Sequence, residues 1–312
     1  MTAAAGVTAR RRRPRLDGAR DFVAKYLRRT DGVLGMAILL VFAVVALAPD
    51  LLAGPLQTAT TATGARFGAP SATHILGTDN LGRDMLNLTI HGGRVSMTIG
   101  AIATILTVLV GALVGIVSGY VAGVLDTILM FVTNFFLVLP TFVLAVILAP
   151  IILDLVGADS EVAGVRSTLV VIAVVIGITS WASTARIIRS QTMSVRERMY
   201  VDRARVIGSG RLRIMRRHIL PNVMNLIVAN AVLTFAGAIF TETTLAFIGL
   251  GDPLAPSWGQ LLNEAQGSGA PGLGAWWYIA PPAFCVVAVV LAFTLVGNAL
   301  DDVMNPKAGT GR

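Results

Sequence analysis

Three histidines, one cysteine, two lysines and seventeen carboxylates are the side chains of this 312-residue sequence that most readily do metal, covalent or proton chemistry. Their spacing supports little of it. His74, Asp79, Asp84 and His91 fall in one polar segment but follow no recognised zinc or calcium ligand spacing, so no bound metal is expected. Lys25 and Lys307 lie in no G-x-x-x-x-G-K-[ST] context, so a phosphate cradle for ATP is not expected in this chain. Neither H-E-x-x-H nor G-x-S-x-G occurs, which leaves a membrane hydrolase unsupported and the chain expected to be no enzyme. Cys285 sits alone in an apolar run, where an intramolecular disulfide is impossible.

Two polar features inside apolar segments remain. Glu242 is the best candidate for an acidic group at membrane depth, where such groups are costly and usually functional; the competing reading is an interfacial or inter-subunit hydrogen-bonding residue. Asn230, Thr234, Gly237 and Thr241 recur at three- and four-residue spacing and share one helix face. That face either lines a solute path or packs closely on another helix, and both readings stay open.

The elements that must hold these residues are membrane helices. Hydrophobic residues make up 55% of the chain and charged ones 13%, about half the charged share of soluble domains. Six runs have the roughly 20 apolar residues that a bilayer core demands: about 33 to 53, 92 to 118, 127 to 150, 168 to 188, 222 to 248 and 278 to 298. In the second, Gly111, Gly115 and Gly119 form a small-residue packing face. In the third, Pro140 is expected to kink the helix.

Basic residues fix the orientation, because loops rich in arginine and lysine stay in the cytoplasm. Residues 1 to 30 hold nine, and Arg189 to Arg217 hold nine more. Both termini and the long loop between the fourth and fifth spans are therefore expected in the cytoplasm. The net charge of +8 is confined to such segments, which speaks for topology and lipid contact and against nucleic acid. The chain divides into a basic tail (1 to 30) with a short helix over Asp21 to Arg29, a first span with an external segment (31 to 91), a core (92 to 300) and a C-terminal tail (301 to 312).

Within the loop 195 to 221, Ser194 and Glu197 fit the S-x-x-E capping box, so a short helix is expected to start there. Gly208 ends it, Ser209 and Gly210 turn, and a second basic helix leads to Pro221, where the fifth span would begin. The expected product is a helix-turn-helix along the membrane face.

Here the residues carry a family likeness. Tyr200-Val201-Asp202-Arg203-Ala204-Arg205-Val206-Ile207-Gly208, continuing to Ile219-Leu220-Pro221-Asn222, resembles the "EAA" loop of binding-protein-dependent ABC transporter permeases. It departs from that pattern with Asp202 for the usual Glu and Arg203 for the first Ala of a pair. His74-Ile75-Leu76-Gly77-Thr78-Asp79-Asn80-Leu81-Gly82-Arg83-Asp84, then Ala246 to Gly251 and Pro256 to Gly259, resemble the second permease subunit of dipeptide, oligopeptide and nickel importers.

The resemblance covers nearly the whole chain after residue 30. It implies an all-α integral membrane fold of six helices, a type I ABC importer transmembrane domain with a five-helix core plus an N-terminal helix. It also implies an ATPase-coupling loop at Tyr200, Asp202, Arg203, Ala204, Gly208, Ile219, Leu220 and Pro221. The external motif Gly77, Thr78, Asp79, Gly82, Arg83 and Asp84 would shape the contact with a solute-binding protein. Asn230, Thr234, Thr241 and Glu242 are the candidate path residues. Implied partners are a second homologous permease subunit, two ATP-binding subunits carrying ATP and magnesium, an extracytoplasmic solute-binding protein and lipid in a bacterial plasma membrane. Peptides are the expected cargo, with nickel complexes or other small solutes as the alternative in the same family and a non-ABC ion-coupled carrier outside it.

Overall fold

A computed structural model describes residues 23–157, 161–162 and 165–304. The basic tail at 1–22 and the end of the chain from 305 lie outside the described residues, and so do most of the expectations placed on them. A helical turn over 23–27 falls inside the expected 21 to 29 helix.

The elements are almost all helices: α1 (Thr30–Leu47), α2 (Pro49–Ala53), α3 (Met85–Val121), α4 (Gly123–Val138), α5 (Thr141–Val156), α6 (Ser167–Arg196), α7 (Met199–Val206), α8 (Arg211–Ile214), α9 (Leu220–Leu245), α10 (Trp258–Gly267) and α11 (Trp276–Met304). Two-residue strands, β1 (Glu161–Val162) and β2 (Val165–Arg166), pair antiparallel between α5 and α6. Five helical runs are long and apolar enough to cross a membrane, and α4 with α5 makes a sixth if that bent pair is one span.

That third span is broken, not merely kinked. α4 and α5 meet at 92°. Pro140 forces the residue before it out of helical space, and Leu139 is accordingly extended at φ −75°, ψ 130°.

α3 and α6 form the centre, and glycines set their separation. A Cβ on Gly111 would lie 2.6 Å from the Thr184 Cβ, one on Gly115 2.6 Å from the Ala185 carbonyl, and one on Gly119 2.8 Å from the Arg189 carbonyl. The Gly111, Gly115 and Gly119 face is thus the surface against which α6 lies. In α1 only Gly32 and Gly35 are buried, because they press on Ala299 and the Ala292 carbonyl of α11. α9 packs on α11 through the stacked rings of Phe235 and Phe293, with centroids 4.2 Å apart. Many large apolar side chains on α1, α3, α4, α5 and α9 remain exposed, as lipid or a partner helix requires.

Candidate functional site

The arginine-rich segment is built by continuing one helix and restarting another. α6 runs on through Ser194 to Arg196, with Glu197 the first residue beyond it. The expected capping box therefore does not form: Ser194 stays helical because Val195, only 5% exposed, is held beneath α7. The reversal comes after it, where the Arg198 N–H donates to the Val195 carbonyl at 3.1 Å and Arg198 turns extended before α7.

Gly208 does end α7, at φ +80°. The Ser209 N–H reaches the Ala204 carbonyl at 3.0 Å and the Gly208 N–H the Arg205 carbonyl at 2.9 Å, the paired bonds of a Schellman stop. The second basic helix is not separate, contrary to expectation. α8, a π-helical turn at Met215–Ile219 and α9 form one continuous helix, Arg211–Leu245. Pro221 lacks an N–H and its ring crowds the carbonyl four residues back; the wider π turn just before it relieves that crowding, so the helix enters the membrane region without restarting.

α7 has two faces. Val201 and Ala204 are buried against a cluster that includes Tyr120, Ile214, Ile219 and Val223, with Leu220 packed at its edge. Met199, Val206 and Ile207 are 76%, 89% and 81% exposed, and with Asp202 and Arg203 they line a shallow recess. Arg203 thus lies on the outward face and Ala204 fills the inward position. Asp202 accepts from Arg205 at 2.8 Å, an exposed pair of little energetic weight, while Arg205 lies over the Tyr120 ring at 5.6 Å. The Tyr200 ring lies tilted beside His218, with centroids 6.2 Å apart, and Pro221 is exposed.

The polar stripe on α9 separates into two parts. Asn230 donates to the Thr184 hydroxyl of α6 at 2.9 Å and to Thr234 at 3.3 Å, so its lower half is helix packing. Its upper half is open: a Cβ on Gly237 would meet nothing, and Thr241 bonds only back to the Gly237 carbonyl. Glu242 is 1% exposed and accepts from Ser96 of α3 at 3.0 Å and Thr243 at 3.4 Å, while its Oε1 has no partner among the described residues. It is packed from α9 against Ser96 of α3, which also accepts from the Trp258 N–H at the start of α10.

The Gly77 to Asp84 segment turns inward. Thr78, Asp79 and Arg83 are buried at 1%, 0% and 9% exposure. Gly77 and Gly82 take positive φ angles, +67° and +82°, and the Gly82 position faces the Gly64 carbonyl so closely that no side chain fits. Arg83 donates through Nε to Asp79 at 2.5 Å and through Nη2 to Glu264 of α10 at 2.7 Å. Burial opposes the Arg83 charge, but these two carboxylates outweigh it and raise its pKa above the ordinary arginine value. Asp84 caps α3 by accepting from the N–H groups of Leu86 and Asn87, and it also binds His74 at 2.8 Å. His91 contacts the Gly54 carbonyl at 2.9 Å.

A second polar face escaped the sequence reading. Thr179, Ser183, Arg186 and Ser190 recur at four-, three- and four-residue spacing on α6, and the last three are exposed. Arg186 donates to Asn134 of α4 at 3.0 Å. A cavity of about 390 Å³ opens between the α4–α5 break at Leu139, Pro140 and Thr141 and the hydroxyl face of Thr179, Ser180 and Ser183. The signal lies in the four-, three- and four-residue spacing of these polar residues within an otherwise apolar run.

The model of the family "binding-protein-dependent transport system inner membrane component" matches residues 111–310, which include all of the arginine-rich segment and both polar faces apart from Ser96 of α3. The chain belongs to this family. A putative peptide transport system permease protein of Brucella suis biovar 1 (strain 1330) is 33% identical over 287 residues, 91% of this chain and 90% of that protein. The dipeptide transport system permease protein DppC of Bacillus subtilis (strain 168) is 34% identical over 242 residues, 76% of this chain and 70% of that one. A putative peptide permease protein of Brucella ovis (strain ATCC 25840 / 63/290 / NCTC 10512) is 34% identical over 241 residues, 77% and 75% of the two chains.

As a component of a binding-protein-dependent transport system, the chain is a multi-pass membrane protein.

Proposed function

We propose that this chain is the transmembrane permease subunit of an ATP-driven importer of dipeptides or oligopeptides in a bacterial plasma membrane. On this reading its termini and the 195–221 loop are cytoplasmic, and it forms half of the translocation path beside a second, homologous permease. Two ATP-binding subunits carry the ATP and magnesium, and an extracytoplasmic binding protein delivers the solute. The peptide assignment rests on the names of the relatives and on nothing in this chain's own side chains.

The observation that carries the coupling role is the two-faced α7. Its inward residues Val201 and Ala204 are locked to the ends of α3, α6 and α9, so a push on α7 moves those helices together. Its outward residues Met199, Val206 and Ile207 leave an apolar patch bordered by Arg203, the composition of a surface that a groove in another protein covers. Glu242, the residue an ion-coupled carrier would have needed, is bonded to Ser96 inside the chain and gives that alternative no support.

Reconstitution in liposomes tests the proposal. The chain, a second permease and the ATPase subunits, supplied with binding protein outside, are expected to take up dipeptide only when ATP is present inside. Uptake by this chain alone would overturn it.

A further inference from the structure

Arg186 is the one exposed arginine of α6 that lies well inside the helix and faces no carboxylate among the described residues; Arg189, one turn on, is bound to Asp126. At 1.5 Å per residue it lies about 15 Å from the Arg196 end of α6. Its partner Asn134 is two turns beyond Asp126 along α4. One Nη2 bond to Asn134 is its hydrogen bond to another side chain, which leaves donors of the guanidinium fork available.

Arg186 lies two residues inside the expected end of the fourth span, one turn deeper than the Arg189–Asp126 pair, and an arginine there is normally turned to a partner or to water rather than to hydrocarbon. The face around it is also unsuited to lipid. Ser183 and Ser190 flank Arg186 on the same stripe and are exposed, and the stripe ends at the cavity beside the α4–α5 break. That break leaves helix ends at membrane depth, an arrangement tolerated where non-helical backbone lines a water-filled space.

We propose that the α6 face of Ser183, Arg186 and Ser190, together with the cavity at Leu139 to Thr141, lines the solute path, and that Arg186 receives the carboxylate of the passing solute. The ligand chemistry is a single carboxylate, such as the C-terminus of a short peptide, held by a guanidinium fork with Asn134 and the Ser183 hydroxyl within the same polar face. This rests on the permease reading above. It moves the path from the α9 residues Asn230 and Glu242, which are bonded to neighbouring helices, to an exposed face on which Arg186 meets Asn134 of α4.

The test uses the assembled transporter in inside-out vesicles, with Cys285→Ala as background so that Ser183→Cys is the sole thiol of this chain. Anionic sulfonatoethyl methanethiosulfonate is expected to label Ser183→Cys faster than cationic trimethylammonioethyl methanethiosulfonate. Arg186→Gln should lower that preference about tenfold, as removal of a focused charge does, and Arg186→Lys should keep most of it. In proteoliposomes with binding protein outside and ATP inside, dipeptide uptake should fall about tenfold with Arg186→Gln while the ATPase subunits still co-purify. Failure of both reagents to label Ser183→Cys, or a preference indifferent to Arg186→Gln, overturns the assignment. If the reagents show the expected selectivity but the unmodified complex takes up no peptide, the path assignment stands and the peptide reading falls.

Discussion

Arg83 and Glu264 are separated by 181 residues in sequence and meet through a 2.7 Å hydrogen bond that ties the segment before α3 to α10. Asp79, fully buried, holds the other edge of the same guanidinium. The Gly77 to Asp84 motif is therefore an internal clamp, and its charged groups are spent on the chain's own fold.

Removal of Arg83 leaves Asp79 buried without its cation, so Arg83→Met is expected to destabilise the folded chain by about 3 kcal/mol. Thermal unfolding of the purified protein in detergent measures it. A melting temperature unchanged from the parent would show that the clamp carries no weight.

Glycines on α3 and α9 should respond in opposite ways. Gly115→Val places a branched side chain where even a Cβ sits 2.6 Å from the Ala185 carbonyl, and a loss of about 1–3 kcal/mol is expected from forcing α3 and α6 apart. Gly237→Ala meets open space and improves helix propensity by up to about 1 kcal/mol. Melting of the isolated chain distinguishes them; equal effects at the two positions would contradict the packing described.

Gly208 has space around it but a backbone at φ +80°, so its requirement is conformational. Gly208→Ala should cost about 1–2 kcal/mol locally and reduce ATPase co-purification, Gly208→Asn should recover part of it, and Gly208→Glu should abolish it. Membrane insertion should be normal in all three. ATPase binding equal to the parent in Gly208→Glu would remove the coupling role from this turn.

Glu242 accepts from Ser96 in a site with no cation partner among the described residues. An amide reproduces the acceptor without a buried charge, so Glu242→Gln should retain or raise stability, whereas Glu242→Lys should prevent folding. Uptake by Glu242→Gln near the parental level would agree with a packing role. Its complete loss in a well-folded variant would return Glu242 to the path.

Local patterns in the sequence carried the membrane class, the positions of the spans, the glycine face of α3, the stop at Gly208 and the family. These depend on apolar run length, on residue spacing and on a backbone conformation that one residue type adopts freely, all of which act over a few neighbours. Other features needed contacts between distant segments. Ser194 fits a capping box by itself, yet burial of Val195 under α7 keeps α6 helical past it. Pro221 reads as a helix start, yet the π turn at Met215–Ile219 carries one helix through it. Asn230 and Ser183 are both polar residues on membrane helices, and only the packing decides that Asn230 bonds to Thr184 while Ser183 stays uncovered. Spacing assigns residues to a common helix face; which face meets another helix is set by how close the backbones can approach, and here Gly111, Gly115 and Gly119 set it.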